Sequence, residues 1–141
     1  MTKETIAITL KNDLMELERV SQIVTELGAR HHFPAQCVFH VNLALEEILT
    51  NVIAYGYDDS QEHCILVSLS VEDEELTVSV EDDGGAFNPL DVPEPDLEKP
   101  LEQRPAGGLG LHLVRNLMNE CEYVRREGKN RLVMRKKVME T

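Results

Sequence analysis

The hydrophobic pattern of the N-terminal third switches from a strand period to a helix period. Residues 5–10 alternate between apolar and polar side chains, which predicts a strand. Apolar residues then recur at helical spacing from Asp13 to about Ala29. We expect a helix there, with Asn12 as its cap and Gly28 at its end.

A second, longer helix is predicted from Pro34 to about Tyr55, because proline suits the first position of a helix. Its apolar residues are spaced alternately three and four apart and predict one buried stripe. They are Val38, Val41, Leu45, Ile48 and Val52. Alternation then predicts two strands, 65–71 and 76–80, joined by a hairpin connection at 72–75.

The periodic pattern stops between Gly84 and Gly108, where five of the six prolines occur among acidic residues. This composition predicts a loop of roughly twenty residues, and a loop of that length is usually a lid or a binding loop. Helical spacing returns from Leu109 to Met118, with Met118 in the core. Two last strands are expected near 122–126 and 131–138, joined by a turn at 128–130.

The order of these elements predicts the fold class. Hairpins and helices that do not alternate singly indicate an α+β fold. We expect a two-layer α/β sandwich with a mixed, mostly antiparallel sheet and helices on one face. The 141 residues are predicted to form a single domain, 1–141. A doubly wound nucleotide fold is not expected, since the chain has no GxxxxGK[ST] loop.

Charge is distributed unevenly along the chain, whose formal net charge is −12. The last 17 residues contain seven basic and two acidic residues, which leaves −17 for the rest. Because such an acidic body repels a phosphate backbone, we expect no direct binding of nucleic acid. The alternating basic residues near the end are more typical of the solvated face of two edge strands.

Other features bear on location. No run of 18 apolar residues is present, which predicts no membrane span, and the first residues lack the pattern of a signal peptide. Cys37, Cys64 and Cys121 are odd in number and scattered, so neither a disulfide framework nor a zinc site is expected. The five histidines lack metal-ligand spacing and are interpreted as structural or surface groups. We therefore expect a cytoplasmic protein.

Glu47 and Asn51 are the first candidate site residues. Four positions apart on the second helix, their side chains lie about 40° apart around its axis, at the border of the apolar stripe. Such a pair alone is most often a solvated helix flank. A functional pair would use the amide oxygen of Asn51 for Mg²⁺ and the carboxylate of Glu47 as a base.

Asp82 and Gly84 are the second candidate pair. Asp82 ends a predicted strand, and glycines follow it at 84 and 85. An acidic turn is the commoner meaning of this pattern. A carboxylate held at a strand end is also able to accept a hydrogen bond from the exocyclic amine of adenine, which guanine does not offer.

The third candidate segment comprises Gly108, Leu109 and Gly110, where a helix is predicted to begin. Backbone N–H groups at a helix start, together with the helix dipole, attract phosphate oxygens. A protein of charge −12 that holds a polyphosphate needs such local amides and a metal ion.

The order of these three segments resembles the N, G1 and G2 boxes of the GHKL (Bergerat-fold) ATPases, the superfamily of gyrase, Hsp90, MutL and histidine kinases. The runs that carry it, 44–51 and 108–118, are most similar to those of the anti-sigma factor serine-protein kinases. These are stand-alone kinases of bacterial partner switching. They sequester a sigma factor and phosphorylate a serine on a STAS-type anti-anti-sigma protein.

The resemblance implies ATP and Mg²⁺ as cofactors and a role for each candidate residue. Asn51 is expected to coordinate Mg²⁺, and Glu47 to deprotonate the acceptor serine. Asp82 is expected to bind the adenine amine, with Gly84 giving room for the ring. The glycines of residues 108–110 are expected to lie over the phosphates.

The loop at about 85–107 is expected to be the ATP lid, from which Arg104 reaches the γ-phosphate. In the relatives the lid arginine lies closer to the glycine pair, whereas residues 105–107 intervene here.

Two further interpretations stay open beside the kinase. One is a module that binds nucleotide to change its affinity for a partner and transfers no phosphate. The other is an ATPase that works with a separate transducer chain, for which a phosphate-contacting lysine is expected and is not evident. The resemblance also implies a homodimer, and the first helix, 13–29, is expected to contact a second copy or a partner.

Overall fold

A five-stranded sheet and three helices make up the part of the chain that the computed structural model describes, residues 3–59, 61–91 and 108–138. The elements in chain order are β1 (Glu4–Lys11), α1 (Glu16–Arg30), α2 (Ala35–Tyr55), β2 (Cys64–Glu72), β3 (Glu75–Asp82), α3 (Gly108–Leu117), β4 (Glu120–Arg126) and β5 (Lys129–Lys137). A short 3₁₀ turn follows β3 at Pro89–Asp91.

The sheet has the strand order β1-β2-β3-β5-β4, and each neighbouring pair is antiparallel. The predicted α+β class is therefore confirmed. The prediction of a mixed sheet is wrong for the described strands, because none of the neighbouring pairs is parallel. The reason is that β2 follows β1 as an antiparallel neighbour, while β3 and β5 close the centre of the sheet antiparallel as well. This central β3–β5 pair places Asp82 opposite Asn130 at the end of the sheet.

The core lies between one face of the sheet and the helical layer. Alternate residues of β2, from Ile65 to Val71, are buried, and so is one face of α2. Burial of this apolar area stabilises the fold by about 25 cal/mol per Å². The buried side chains of α2 are those of Cys37, Val41, Ala44, Leu45, Ile48 and Leu49.

Helix α2 combines length with high hydropathy. Within the described residues it is the one helix long and apolar enough for a membrane span, with a mean hydropathy of 1.3 over its most apolar window. Its buried stripe packs in the protein core instead. These properties are those of the central helix of a two-layer fold.

The predicted end of the first helix, about Ala29, is correct to one residue, but its predicted start, its cap and the role of Gly28 are wrong. Helix α1 begins at Glu16, and the side chain of Asn12 instead accepts a hydrogen bond from the backbone N–H of His63, 2.9 Å away. Gly28 lies inside α1, where a Cβ would come within 2.6 Å of Cγ2 of Val38 on α2. Gly28 therefore lets the two helices pack closely, and the helix continues to Arg30.

The two hairpin turns are tighter than the patterns indicated. Asp73 and Glu74 both have positive φ, and so do Glu127 and Gly128, as two-residue hairpin turns of type I′ require. The predicted turn at 128–130 is thus displaced by about one residue, and Asn130 belongs to β5. The prediction of two basic edge strands is half wrong, because β5 lies between β3 and β4.

Candidate functional site

Glu47 and Asn51 lie side by side on α2, as their spacing predicted. The amide nitrogen of Asn51 donates to a carboxylate oxygen of Glu47 at 3.0 Å and to the Glu47 carbonyl at 2.7 Å. Both side chains are half-buried. Because the nitrogen is engaged, the amide oxygen of Asn51 is the atom left for a ligand. A neutral oxygen beside a carboxylate is a donor set that suits Mg²⁺.

Asp82 is buried at the end of β3, with 6% of its surface exposed. Its Oδ1 accepts hydrogen bonds from the backbone N–H of Gly84 at 2.8 Å and from the side-chain amide of Asn130 at 3.0 Å. Two donors on one oxygen hold the carboxylate in a fixed orientation.

An otherwise apolar cleft opens beside Asp82. A carboxylate on a mostly apolar wall suits the flat apolar faces and polar edge of a purine, but between the described residues the cleft has a volume of only about 30 Å³, so it does not enclose a base as it stands. Ile48 and Val52 bring α2 into its wall, and α2 is also the helix that bears Glu47 and Asn51. The lining residues are Ile48, Val52, Val80, Asp82, Phe87, Pro89, Asn130 and Leu132.

The turn after β3 is joined to the segment after α2. The backbone N–H of Gly85 donates to the carbonyl of Gly56 at 2.9 Å. A Cβ on Gly84 would lie 2.4 Å from that same carbonyl oxygen, so Gly84 is required by contacts within the protein. The room that it was expected to leave for a purine ring stays a prediction.

A charged cluster forms the outer side of this junction. His63 contacts Asp59 at 2.7 Å and Asp83 at 3.3 Å, and its ring stacks on Tyr57 with centroids 4.1 Å apart. The hydrogen bond to Asp59 is the main cause that raises the pKa of His63, and it lowers the pKa of Asp59. Burial, then the charges of Asp82 and Asp83, raises the pKa of Tyr57. The cluster ties the end of α2 to the start of β2 and to the turn after β3.

The third candidate segment, residues 108–110, has a described backbone position at the start of a helix. Helix α3 begins at Gly108, so Leu109 and Gly110 lie in its first turn, as predicted. The side chain of Arg115 on α3 donates to the carbonyl of Leu90, which links the helix to the 3₁₀ turn. Arg104 and residues 92–107 of the expected lid lie outside the described residues.

Three residues of the C-terminal hairpin reach the site without having been singled out from the sequence. Asn130 and Tyr123 form a hydrogen-bonded pair beside Asp82, and the guanidinium of Arg125 donates to the carbonyl of Gly84 at 2.8 Å. The alternation of β5 contained a signal: Asn130 is a polar residue at an inward position, two before Leu132. It was missed because the turn was predicted to include it.

A comparison with protein families identifies the family to which this chain belongs. Residues 10–136 match the model of the histidine kinase-like ATPase domain. The chain belongs to this family. Within it, the chain is 27% identical over 131 residues to the serine/threonine-protein kinase BtrW of Bordetella bronchiseptica, covering 88% of this chain and 92% of that one. It is 30% identical over 107 residues to an anti-sigma F factor of Clostridium novyi, covering 70% of this chain and 69% of that one.

A solved structure shows the same fold. The RsbU and RsbW domains of a Mycobacterium tuberculosis protein superpose with a TM-score of 0.71 at 17% identity, over 98% of this chain and 33% of that one. The histidine kinase-like ATPase described here thus corresponds to about a third of that longer chain. The resemblance to the serine-protein kinases and anti-sigma factors of this superfamily is confirmed.

Proposed function

We propose that this chain is an ATP-dependent protein-serine kinase and an anti-sigma factor, which phosphorylates a STAS-type anti-anti-sigma protein. The observation that carries the proposal is that α2 bears the Glu47–Asn51 couple and also contributes Ile48 and Val52 to the wall of the Asp82 cleft. Phosphoryl transfer from ATP needs a base, a metal ligand and a group that positions the nucleotide, and these are the roles proposed for Glu47, Asn51 and Asp82. The names of the relatives support the kinase and the sigma-factor parts.

The proposed roles follow from the donor and acceptor atoms. Asp82 accepts from the adenine amine, and the N–H groups of residues 108–110 bind phosphate oxygens. Asn51 holds Mg²⁺ through its amide oxygen. When bound, this ion neutralises charge on the β- and γ-phosphates. Arg104 contributes further positive charge at the γ-phosphate.

In the proposed reaction, Glu47 accepts the proton of the acceptor serine hydroxyl. The serine oxygen forms a bond to the γ-phosphorus while the bond from that phosphorus to the β–γ bridging oxygen breaks, and ADP leaves. The hydrogen bond from Asn51 orients the Glu47 carboxylate for this proton transfer. The acceptor protein then carries a phosphoserine, and Glu47 releases the proton that it accepted to solvent.

Assembly and location belong to the same proposal. We place a homodimer or partner contact on α1, which is supported by the exposed apolar side chains of Leu14 and Met15 just before it. A cytoplasmic location is supported by Cys37, Cys64 and Cys121, none of which forms a disulfide. Sedimentation of the wild type and of a Leu14→Glu, Met15→Glu variant tests the contact, because a dimer through this surface dissociates in the variant.

Transfer of label from γ-labelled ATP to a STAS-type protein, followed by mapping of the phosphoserine, tests the activity. The Glu47→Ala variant is expected to lose phosphotransfer while it keeps most of its nucleotide binding. Glu46→Ala is the matched control, because Glu46 is the adjacent carboxylate on α2 and is exposed. Equal transfer by the wild type and Glu47→Ala contradicts the proposed base. Wild-type protein that binds ATP and transfers nothing favours the module without phosphotransfer.

A further inference from the structure

Asn130 connects the C-terminal hairpin to the buried carboxylate of Asp82. It is 7% exposed and lies opposite Asp82 in the β3–β5 pair. Its amide nitrogen donates to Oδ1 of Asp82 at 3.0 Å and to the carbonyl of Gly85 at 2.8 Å. Its amide oxygen accepts from the backbone N–H of Phe87 at 3.3 Å and from the hydroxyl of Tyr123.

These four hydrogen bonds use the whole capacity of the side chain. An asparagine amide has two N–H donors and one oxygen with two lone pairs. Both donors and both lone pairs of Asn130 are engaged within the protein, so none remains for a nucleotide. Any influence of Asn130 on a bound base must therefore act through Asp82.

The consequence for Asp82 is that its two carboxylate oxygens are no longer equivalent. Oδ1 accepts from Asn130 and from the backbone N–H of Gly84. Among the described residues, none donates a hydrogen bond to Oδ2. A terminal carboxylate torsion is soft, and a carboxylate without such donors samples a broad range of orientations. Two charge-assisted hydrogen bonds to one oxygen fix the torsion and leave the other oxygen for a ligand.

We propose that Asn130 is a positioning residue that sets base selectivity: it holds Asp82 so that Oδ2 meets an exocyclic amine on the purine. Tyr123 is the second link, because its hydroxyl fixes the amide of Asn130. This inference rests on the proposed binding of ATP at Asp82. It adds that selectivity for the amine depends on a side chain of β5 that does not touch the base.

Calorimetric titration with ATP and with purine riboside triphosphate, which lacks the 6-amino group, tests the inference. The wild type is expected to bind ATP about tenfold or more tightly than the analogue, the size of one hydrogen bond to a charged group. In Asn130→Ala, ATP binding weakens while binding of the analogue changes little, so the ratio of the two dissociation constants moves towards one.

Two more variants keep the test independent of folding problems. Asn130→Leu has nearly the same size, cannot donate to Asp82 and adds no charge beside it, so we expect it to lose selectivity as well. Tyr123→Phe removes one hydroxyl and is expected to give a smaller loss in the same direction. Asn119→Ala is the matched control, because the Asn119 side chain accepts from the backbone of Lys137 at 2.8 Å, at the other end of β5.

The outcomes distinguish the positioning role of Asn130 from the proposed binding of ATP. A selective wild type with an equally selective Asn130→Ala overturns the positioning role and leaves ATP binding intact. The same is true when Asn130→Ala weakens both nucleotides by one common factor. A wild type that binds neither nucleotide overturns the proposed function, and the role of Asn130 with it.

Discussion

At the scale of single residues, the site depends on amides that hold carboxylates. Asn51 donates to Glu47, and Asn130 donates to Asp82. Each amide thereby orients an acid that is proposed to meet the ATP or the acceptor serine. An amide does this without adding charge, which suits a chain with a formal net charge of −12 that is proposed to bind a polyphosphate.

Replacement of Asn51 by alanine is expected to weaken the binding of Mg²⁺·ATP by roughly 10- to 150-fold, the equivalent of about 1.5–3 kcal/mol. The loss follows from removal of the proposed metal ligand, so ATP binding in the presence of EDTA should change little. Titration calorimetry with and without Mg²⁺ measures both values. Asn42→Ala is the control, since Asn42 is another asparagine of α2, and its side chain donates a hydrogen bond to the exposed Thr25. Equal weakening with and without Mg²⁺ contradicts a metal-ligand role.

At the scale of elements, α2 organises the molecule. It contributes one face to the core, and Ile48 and Val52 to the wall of the cleft. It also packs against both other helices. The contact with α1 is so close at Gly28 that a single Cβ would meet Val38 at 2.6 Å. The far end of α2 is tied to the turn after β3 through Gly56 and the His63 cluster.

The Gly28→Ala variant is expected to be less stable by up to about 2 kcal/mol, because an overpacking cost of about 1–3 kcal/mol at Val38 outweighs the gain of about 1 kcal/mol in helix propensity. Urea unfolding of the variant gives this difference. Truncation of the opposing side chain makes room, so Gly28→Ala combined with Val38→Ala should be more stable than the sum of the two single effects. Simple additivity of the two changes contradicts the contact.

The ion pair of His63 with Asp59 makes stability depend on pH. Because folding raises the pKa of His63 above its usual 6.5, the stabilisation is complete below that value and is lost as pH rises through the raised pKa. Because folding lowers the pKa of Asp59, the stabilisation that the ionised Asp59 contributes is lost as pH falls through the lowered pKa, below about 3.8. We expect the free energy of unfolding, measured in urea, to decline in the wild type as pH rises above 6.5. In His63→Gln this decline should be smaller. Identical pH profiles of the two proteins contradict this role for the ion pair.

At the scale of the whole molecule, an acidic body carries a basic C-terminal hairpin. The last 17 residues bear a net charge of +5, and most of them form β4 and β5. Arg125 of this hairpin donates to the carbonyl of Gly84, next to the cleft of an otherwise acidic protein. The hairpin thus supplies both positive charge and the amide of Asn130 to the side of the cleft opposite α2.

The elements with long periodic patterns were predictable from the chain. Helix α2 has five apolar residues at regular spacing, and its predicted bounds are correct to one residue. Glu47 and Asn51 met as expected, because i and i+4 are neighbours in any helix. The end of α1 was predicted to one residue, but its start was not. The roles of Gly28 and Asn12 were not predictable locally, since Gly28 packs against Val38 on another helix and Asn12 accepts from His63, 51 residues away.

In the part of the site contributed by β5, the alternation marked Asn130 as an inward polar residue, but its partner Asp82 could not be predicted from the sequence. Whether Asn130 lies in a turn or in a strand depends on which two residues adopt positive φ, and Glu127 does so beside Gly128. Only the pairing of β3 with β5 places Asn130 opposite Asp82. Contacts of this kind join residues 48 positions apart, so no local pattern encodes them.

Calorimetric titration of the chain with ATP in the presence of Mg²⁺ tests most directly whether adenosine nucleotide binds at the Asp82 cleft. The wild type should give a saturable heat with one nucleotide per chain, and Asp82→Asn, which exchanges the acceptor carboxylate for an amide, should bind ATP at least tenfold more weakly. The absence of any binding heat from wild-type protein at saturating adenosine nucleotide, or equal affinity in the variant, would contradict it.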